Sequence, residues 1–354
     1  MHIAIVTDAW IPQVNGVVQT LARTRDELIR FGHKVSMITP EGRRTVPCPT
    51  YPEIRLCVFP GRAVRRELDR LAPDCVHIAT EGPLGLAARR YCKKSGVPLT
   101  SSYQTQFPEF VRARAPIPVW LTSRILRWFH GAAAKTLVPT RRIKAKLEAR
   151  GFRNLEMWTR GVDTTVFTTD TPFDYDLPRP IWVHMGRIAV EKSIEKFLEL
   201  ELPGSKVVIG DGPARPGLER QFPDACFVGY RFGRELASYL AGGDVFVFPS
   251  HTDTFGLVML EAMACGLPIA AYPVDGPVDV VSNGVTGILD DDLGSACIAA
   301  LALNRQHCRE YAEQRSWRTA TRQLERHLLL PDSPPAARQG ATQARSSASM
   351  TSPL

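Results

Sequence analysis

The chain of 354 residues is 44% hydrophobic and 23% charged, the make-up of a soluble globular protein. At roughly 100–200 residues per domain, that length predicts two domains. Lys and Arg outnumber Asp and Glu by 44 to 36, a net charge of +8, and no run approaches the ~18 apolar residues that a membrane-spanning helix needs. The excess is concentrated: between Arg112 and Arg153 lie eleven Lys or Arg and one acid, Glu148, so this window alone carries +10. A local basic face points to an anionic partner, whether nucleic acid, a membrane surface or a phosphorylated ligand. The eight cysteines form no C-x-x-C pair, which argues against zinc-ribbon and thioredoxin chemistry and for reduced, cytosolic thiols.

Met1–Val6 reads as the first strand, too short and too soon closed by Asp8 for a signal peptide. Val17–Phe31 follows as an amphipathic helix, then strands at Lys34–Ile38, Asp74–Ile78, Leu99–Ser102 and Thr136–Val138. The rhythm restarts with a buried strand at Ile181–Met185 and a helix running to Leu200. Strands follow at Lys206–Ile209, Ala225–Val228, Val245–Phe248 and Pro268–Ala271, with helices at Arg234–Ala241 and Gly256–Ala264. Alternating strands and helices predict an α/β protein of two Rossmann-like doubly wound domains facing a cleft. The break falls in Thr165–Pro180, which gives domains at 1–165 and 166–317, a helix over 318–330 and a disordered Pro/Ser/Ala-rich tail over 331–354. In such sheets ligands bind outside the carboxyl ends of the strands, so two facing domains offer an architecture for joining two substrates.

The turn after the first strand, Asp8 to Gly16, holds one glycine where a dinucleotide fingerprint needs three, which demotes the NAD-dehydrogenase reading. The second half carries more chemistry. Arg187 and Lys192 stand just past a strand, one able to clamp phosphate bidentately and the other a compact second charge. Gly210-Asp211-Gly212 closes the next strand tightly, and the Val228-Gly229-Tyr230 strand end lies beyond. Asp253 precedes a helix that opens at Phe255-Gly256-Leu257, where amides are available to an anion. Glu261, set among Leu257, Val258, Leu260 and Met263, predicts a carboxylate in a partly buried site. Together these suit a diphosphate ligand with a hydroxyl-bearing sugar. Asp290-Asp291-Asp292 reads as a polar turn rather than a cation site.

These segments, in this order and with Asn283-Gly284 to Gly287, resemble retaining family 4 glycosyltransferases of the GT-B fold. The likeness runs from Met1 to about Leu330 and is greatest to bacterial GDP-mannose-dependent mannosyltransferases and glycosyl-diacylglycerol synthases. The resemblance implies that Arg187 and Lys192 bind the donor diphosphate. It implies that Asp253 and Glu261, standing for the family's E-x7-E, contact sugar hydroxyls and ribose. Phe255, Gly256 and Leu257 amides would cradle phosphate, Gly16, Gly210, Asp211 and Gly212 would border the donor, and Val228 and Gly229 would lie where the base is read. Asp8, Tyr103 and Gln104 would stand on the acceptor side. The family usually has His where this chain has Gln104, a side chain that does not titrate near neutrality. The reaction implied is transfer of a hexose from GDP-mannose or a UDP-hexose to a lipid or polysaccharide-precursor acceptor, with no cofactor and no metal. Alternatives of the same fold are a soluble disaccharide synthase, a phosphorylase or a catalytically degenerate nucleotide-sugar binder. Nucleic acid is disfavoured, because Trp120, Trp128 and Phe129 have the spacing of one side of a helix rather than of a stacking platform. The basic window with Trp120, Leu121, Ile125, Trp128 and Phe129, joined by Arg62, Arg65, Arg66 and Arg70, predicts a cytoplasmic protein docked peripherally on the anionic inner face of the membrane.

Overall fold

Apolar runs bounded by turn residues become strands, and the amphipathic stretches between them become the crossover helices. The computed structural model describes residues 1–13, 15–48, 51–112 and 117–328. In its first half the elements are β1 (His2–Val6), α1 (Gly16–Arg30), β2 (Lys34–Ile38), the hairpin β3 (Thr45–Cys48) and β4 (Tyr51–Cys57), α2 (Gly61–Leu71), β5 (Cys75–Ile78), α3 (Pro83–Ser95), β6 (Leu99–Ser102), α4 (Phe107–Arg112), α5 (Val119–His130), β7 (Lys135–Val138), α6 (Arg141–Ala149) and β8 (Leu155–Met157). The second half holds β9 (Ile181–Met185), α7 (Ile194–Leu198), β10 (Ser205–Ile209), α8 (Arg215–Gln221), β11 (Cys226–Gly229), α9 (Gly233–Ala241), β12 (Val245–Phe248), α10 (Leu257–Ala264), β13 (Ile269–Ala271), α11 (Pro277–Val280), β14 (Gly287–Leu289), α12 (Leu293–Ala300), α13 (Arg305–Glu313) and α14 (Trp317–Leu328).

Two six-stranded parallel sheets result, ordered β2-β1-β5-β6-β7-β8 and β11-β10-β9-β12-β13-β14. Each reverses its winding beside its first strand, between β1 and β5 and between β9 and β12, and such switch points are where doubly wound sheets bind ligands. The strands read as unbroken apolar runs because helices cover both faces: all five residues of β9 are buried. The fold is thus the doubly wound pair expected, with the β3–β4 hairpin and the edge strands β8 and β14 beyond the strands read from the sequence, and small shifts at the ends of the others. The first helix starts at Gly16 because the Asn15 side chain accepts from Val17 N and Val18 N, and the helix after β9 stops at Leu198. The helix predicted over 318–330 is observed as Trp317–Leu328; residues 329–330 and the tail from 331 lie outside the described residues.

α14 does not cap the second sheet. Its Leu324 and Leu328 enter the core formed by Ile3, Ile5, Leu21 and Leu28 on the α1 side of the first sheet. The chain therefore crosses between the halves twice, and the crossings run side by side: Val162 N donates to Arg315 O at 2.8 Å.

On α5, Trp120, Leu121, Ile125 and Trp128 are 66%, 39%, 55% and 56% exposed, as expected of an outward apolar face. Phe129 departs from that expectation, being buried with Leu84 and Ala88 of α3. At about 100° of turn per residue it lies half a turn round the helix from Trp120.

Candidate functional site

At the carboxyl edge of the second sheet three loops interlock through their backbones. Gly186 N donates to Ile209 O at 3.0 Å, Ile188 N to Asp211 O at 2.9 Å and Gly210 N to Gly229 O at 2.9 Å. The approach is close enough that a Cβ on Gly210 would overlap the Gly186 carbonyl oxygen, and one on Gly212 that of Ile188. Asp211 is spent locally, its carboxylate accepting from Gly212 N at 2.7 Å and pairing with Arg215 at 3.0 Å. Val228 is half-buried at this edge, and past Gly229 the exposed rings of Tyr230 and Phe232 stack at 5.8 Å.

Lys192 lies on a turn of 3-10 helix over Val190–Lys192, beyond the half-buried Arg187. Its ammonium stands 2.7 and 2.9 Å from the two carboxylate oxygens of Asp253. Burial alone would raise the Asp253 carboxyl, but Lys192 beside it holds it below the usual range. Both groups sit at the β9/β12 switch point. Beneath them is His184, whose pKa burial pulls down to about 4. The neutral ring donates from Nδ1 to Val247 O at 3.0 Å, and its Nε2 is buried without a hydrogen-bond partner. α10 then begins at Gly256, whose φ of 80° suits glycine, and no side chain caps it; Phe255 and Leu257 flank that start, nearly buried. Glu261, one turn further, is 5% exposed, and burial lifts its carboxyl to about 7 against the lowering effect of a hydrogen bond from Gln19.

That bond crosses the cleft: Gln19 Nε2, on α1, is 2.6 Å from Glu261 Oε1. The starts of α1 and α10 face each other there, such that a Cβ on Gly16 would stand 3.5 Å from Leu257 Cδ1. Asp8, expected on the acceptor side, is 4% exposed and accepts from Thr80 Oγ1 at 3.0 Å and from Leu84 N at 3.0 Å. Its carboxylate thereby caps α3, whose preceding residue, Gly82, has no side chain to do so, and burial raises its pKa. Tyr103 is also inside, 1% exposed and edge-on to Phe152 at 6.4 Å. Gln104 is at the boundary. Its Oε1 accepts from Arg160 Nη2 at 2.7 Å, its Nε2 donates to Ser102 Oγ at 3.1 Å, and its backbone oxygen accepts from Thr254 Oγ1 at 2.9 Å, one residue past Asp253.

A chain of ion pairs closes one flank. Asp275, before α11, takes Lys146 at 2.9 Å and Arg142 at 2.9 Å from α6. Glu109 of α4 takes the same Lys146 at 3.2 Å and Arg150 at 2.6 Å. Part of the basic window is therefore turned toward the second half of the chain, and Lys135 pairs with Glu156 at 2.8 Å. Arg124 stays on the exposed face of α5, and Arg114 lies outside the described residues. Among the described residues no three His, Cys, Asp or Glu side chains gather as a metal site. Asp292 caps α12 through Gly294 N at 3.0 Å.

Residues 14–166 match the family described as Glycosyltransferase Family 4, and residues 179–303 that described as Glycosyl transferases group 1. Over 318 residues the chain is 33% identical to a GDP-mannose-dependent alpha-mannosyltransferase of Mycobacterium tuberculosis (strain CDC 1551 / Oshkosh), covering 82% of this chain and 83% of that one. The chain is a family 4 glycosyltransferase. This glycosyltransferase is also 33% identical over 317 residues to the sulfoquinovosyl transferase SQD2 of Arabidopsis thaliana, spanning 80% of this chain and 62% of that one. To the alpha-monoglucosyldiacylglycerol synthase of Acholeplasma laidlawii it is 26% identical over 344 residues, with 81% and 84% covered. Among solved structures, sucrose-phosphate synthase from Thermosynechococcus elongatus superposes with a TM-score of 0.77 at 18% identity, over 92% of this chain and 97% of that one. Anabaena HepE in complex with UDP and glucose gives 0.69 at 16% identity, over 93% and 99%. These likenesses establish the fold as GT-B.

Several residues of the glycosyltransferase's cleft lie outside every motif. Gln19, Gln106, Lys146, Arg160 and Asp275 are recognised only from their contacts, because their partners are distant in sequence: Gln106 Nε2 donates to Asp253 O across 147 positions, at 3.4 Å.

Proposed function

We propose that this glycosyltransferase moves a hexose, with retention, from GDP-mannose or a UDP-hexose to a lipid or polysaccharide-precursor acceptor at the cytoplasmic face of a membrane. The observation that carries the donor reading is the Lys192–Asp253 pair, placed at a switch point beside the uncapped start of α10. The donor diphosphate would draw the Lys192 ammonium and Arg187 toward its oxygens. The first-turn amides of α10 would meet it from the other side. These groups are aimed where charge develops as the nucleoside diphosphate leaves, so they lower the barrier by favouring the leaving group over the bound ground state. They would take the place of a divalent ion, and activity unchanged by a chelator is the expected result.

Released from Lys192, Asp253 can accept hydrogen bonds from hexose hydroxyls. Glu261 would take the ribose hydroxyls, displacing Gln19, and the base would lie toward Val228, Gly229 and the Tyr230–Phe232 stack. Two carboxylates with different surroundings serve different purposes here: Asp253 is held ionised by a cation, whereas Glu261 is held near neutrality by burial. The acceptor would enter from the side of β1 and β6, past Gln104.

The membrane part of the reading rests on α5. Its four exposed apolar residues, with Arg124 among them, share the side of the first sheet that α2 and α3 also cover, and α2 carries Arg62, Arg65, Arg66 and Arg70 outward. Apolar insertion plus basic charge, at about 1 kcal/mol per cation near an anionic surface, is sufficient for reversible docking. One relative, the alpha-monoglucosyldiacylglycerol synthase, is named for a glycolipid product.

The test is incubation with GDP-mannose, UDP-glucose and UDP-glucuronate in the presence of membrane lipids, with released nucleoside diphosphate measured and products identified by mass spectrometry. Turnover with lipid supports the reading. Turnover only with a soluble sugar or with inorganic phosphate selects a disaccharide synthase or a phosphorylase, and donor binding without turnover selects a degenerate binder.

A further inference from the structure

Arg160 follows β8, at the point where the chain leaves the first half. Its side chain is enclosed, 5% of the residue being exposed, and burial pulls its pKa down to about 9. Among the described residues it has no carboxylate partner. Its guanidinium lies over the Trp158 ring at 4.4 Å and donates to the Trp158 and Thr159 carbonyls at 2.6 and 3.2 Å. Among the described residues the one side chain it hydrogen-bonds is Gln104. A buried cation with no counter-ion is a standing cost to stability that apolar packing would remove.

Arginine can only donate, so the bond to Gln104 decides which end of the amide is oxygen. The rest of the orientation follows. Gln104 Nε2 donates to Ser102 Oγ, Ser102 sits 3.2 Å from His77 Nε2, and His77 Nδ1 sits 2.9 Å from Thr100 Oγ1. His77 is fully enclosed, and burial, aided by Arg160, lowers its pKa to about 3, so it stays neutral, accepting from one of the two hydroxyls and donating to the other. Gln104 Nε2 carries two hydrogens, and Ser102 is its one acceptor among the described residues. The backbone of Gln104 is simultaneously fixed by Thr254, next to Asp253.

From this geometry we infer that Arg160 is a positioning residue for sugar transfer: it locks the Gln104 amide so that its second N–H is held for an oxygen of the transferring hexose or its acceptor. Gln104 is then a fixed donor, polarised by the cation behind it, and not a base. The inference rests on the transfer reading above and names what that reading leaves open, the chemical purpose of Gln104.

The experiment compares kcat and donor KM for the wild type, Gln104→Glu, Gln104→Ala, Arg160→Met and the double variant Arg160→Met/Gln104→Ala, with folding followed by circular dichroism. Gln104→Glu keeps the shape and gains an ion pair with Arg160, but it loses both N–H donors. It should unfold no earlier than wild type, lose about 100-fold in kcat and keep KM within about twofold. Arg160→Met should lose about tenfold in kcat in the wild-type background, the worth of one charge-assisted hydrogen bond, and less than about twofold when Gln104 is already Ala. A Gln104→Glu enzyme turning over at the wild-type rate overturns the inference, as does an Arg160→Met effect of the same size in both backgrounds. If Arg160→Met does not fold, Gln104→Glu decides alone. A wild type silent with every donor would defeat the transfer reading and this role with it, whereas an active wild type with a full-rate Gln104→Glu defeats this role only.

Discussion

Replacing Glu261 by Gln should remove a pH dependence that the wild-type fold carries. The Glu261 carboxyl ionises at about 7 in the native state because burial disfavours its charge, against an ordinary value of 4.5. Between those values the native chain binds more protons than the unfolded one, so stability falls as pH rises. The contribution is full below about 4.5 and gone above about 7. Each tenfold change in an ionisation constant is worth about 1.4 kcal/mol, so the whole change is about 3 kcal/mol. Gln keeps the size and can still face Gln19, but it cannot ionise. The assay is the difference in unfolding free energy between wild type and Glu261→Gln, by denaturant titration from pH 4.5 to 8. All other titrating groups are common to both proteins and cancel. Wild type should lose about 3 kcal/mol relative to the variant over that range. A flat difference curve would refute the argument, because it would mean that the carboxylate is solvated or has found a cation.

Lys192→Ala leaves the half-buried Asp253 carboxylate without its cation, so stability should drop by about 1 kcal/mol while circular dichroism reports a folded chain. Transfer should fall below detection in the nucleotide-release assay. Gly210→Ala places a methyl group on the Gly186 carbonyl oxygen at a φ of 135°, and should lower the melting temperature while raising donor KM. Trp120 and Ile125 are more than half exposed, so changing both to Ser should move stability by no more than about 0.5 kcal/mol each. Sedimentation with anionic vesicles should fall at least severalfold. Asp275→Asn removes the acid that holds Lys146 and Arg142, and the radius of gyration in solution scattering should increase, as it should for wild type at high salt.

The parts of the molecule legible in the sequence are those where one local pattern has one physical meaning. A short, largely apolar run such as β9, bounded by turn residues, suits a strand covered on both faces, and glycine at 210 and 212 stands where backbone meets backbone. The α2 to α6 region was less legible. There the α2 face is strongly charged, and the β3–β4 hairpin just before it carries prolines that disguise its alternation. Charge was the least transparent. The basic window could be counted but not apportioned, since Lys146 finds Asp275 129 positions downstream. In the same way, Glu261 could be seen as partly buried, while the Gln19 that faces it, 242 positions away, belongs to no motif. Phe129 adds to the apolar composition of α5, but the rotation of the helix carries it to the core side, away from Trp120.

The return of α14 to the first half has a consequence for how the protein is made. Leu21 and Leu28 on α1 lack their covering Leu324 and Leu328 until the last described helix has left the ribosome. The first sheet is translated early, at a rate of ~5–20 residues per second, yet it waits for the whole second sheet with an apolar strip uncovered. Synthesis truncated before Trp317 would release a chain with that strip bare, and such products should be bound by chaperones and aggregate although every strand of both sheets is present.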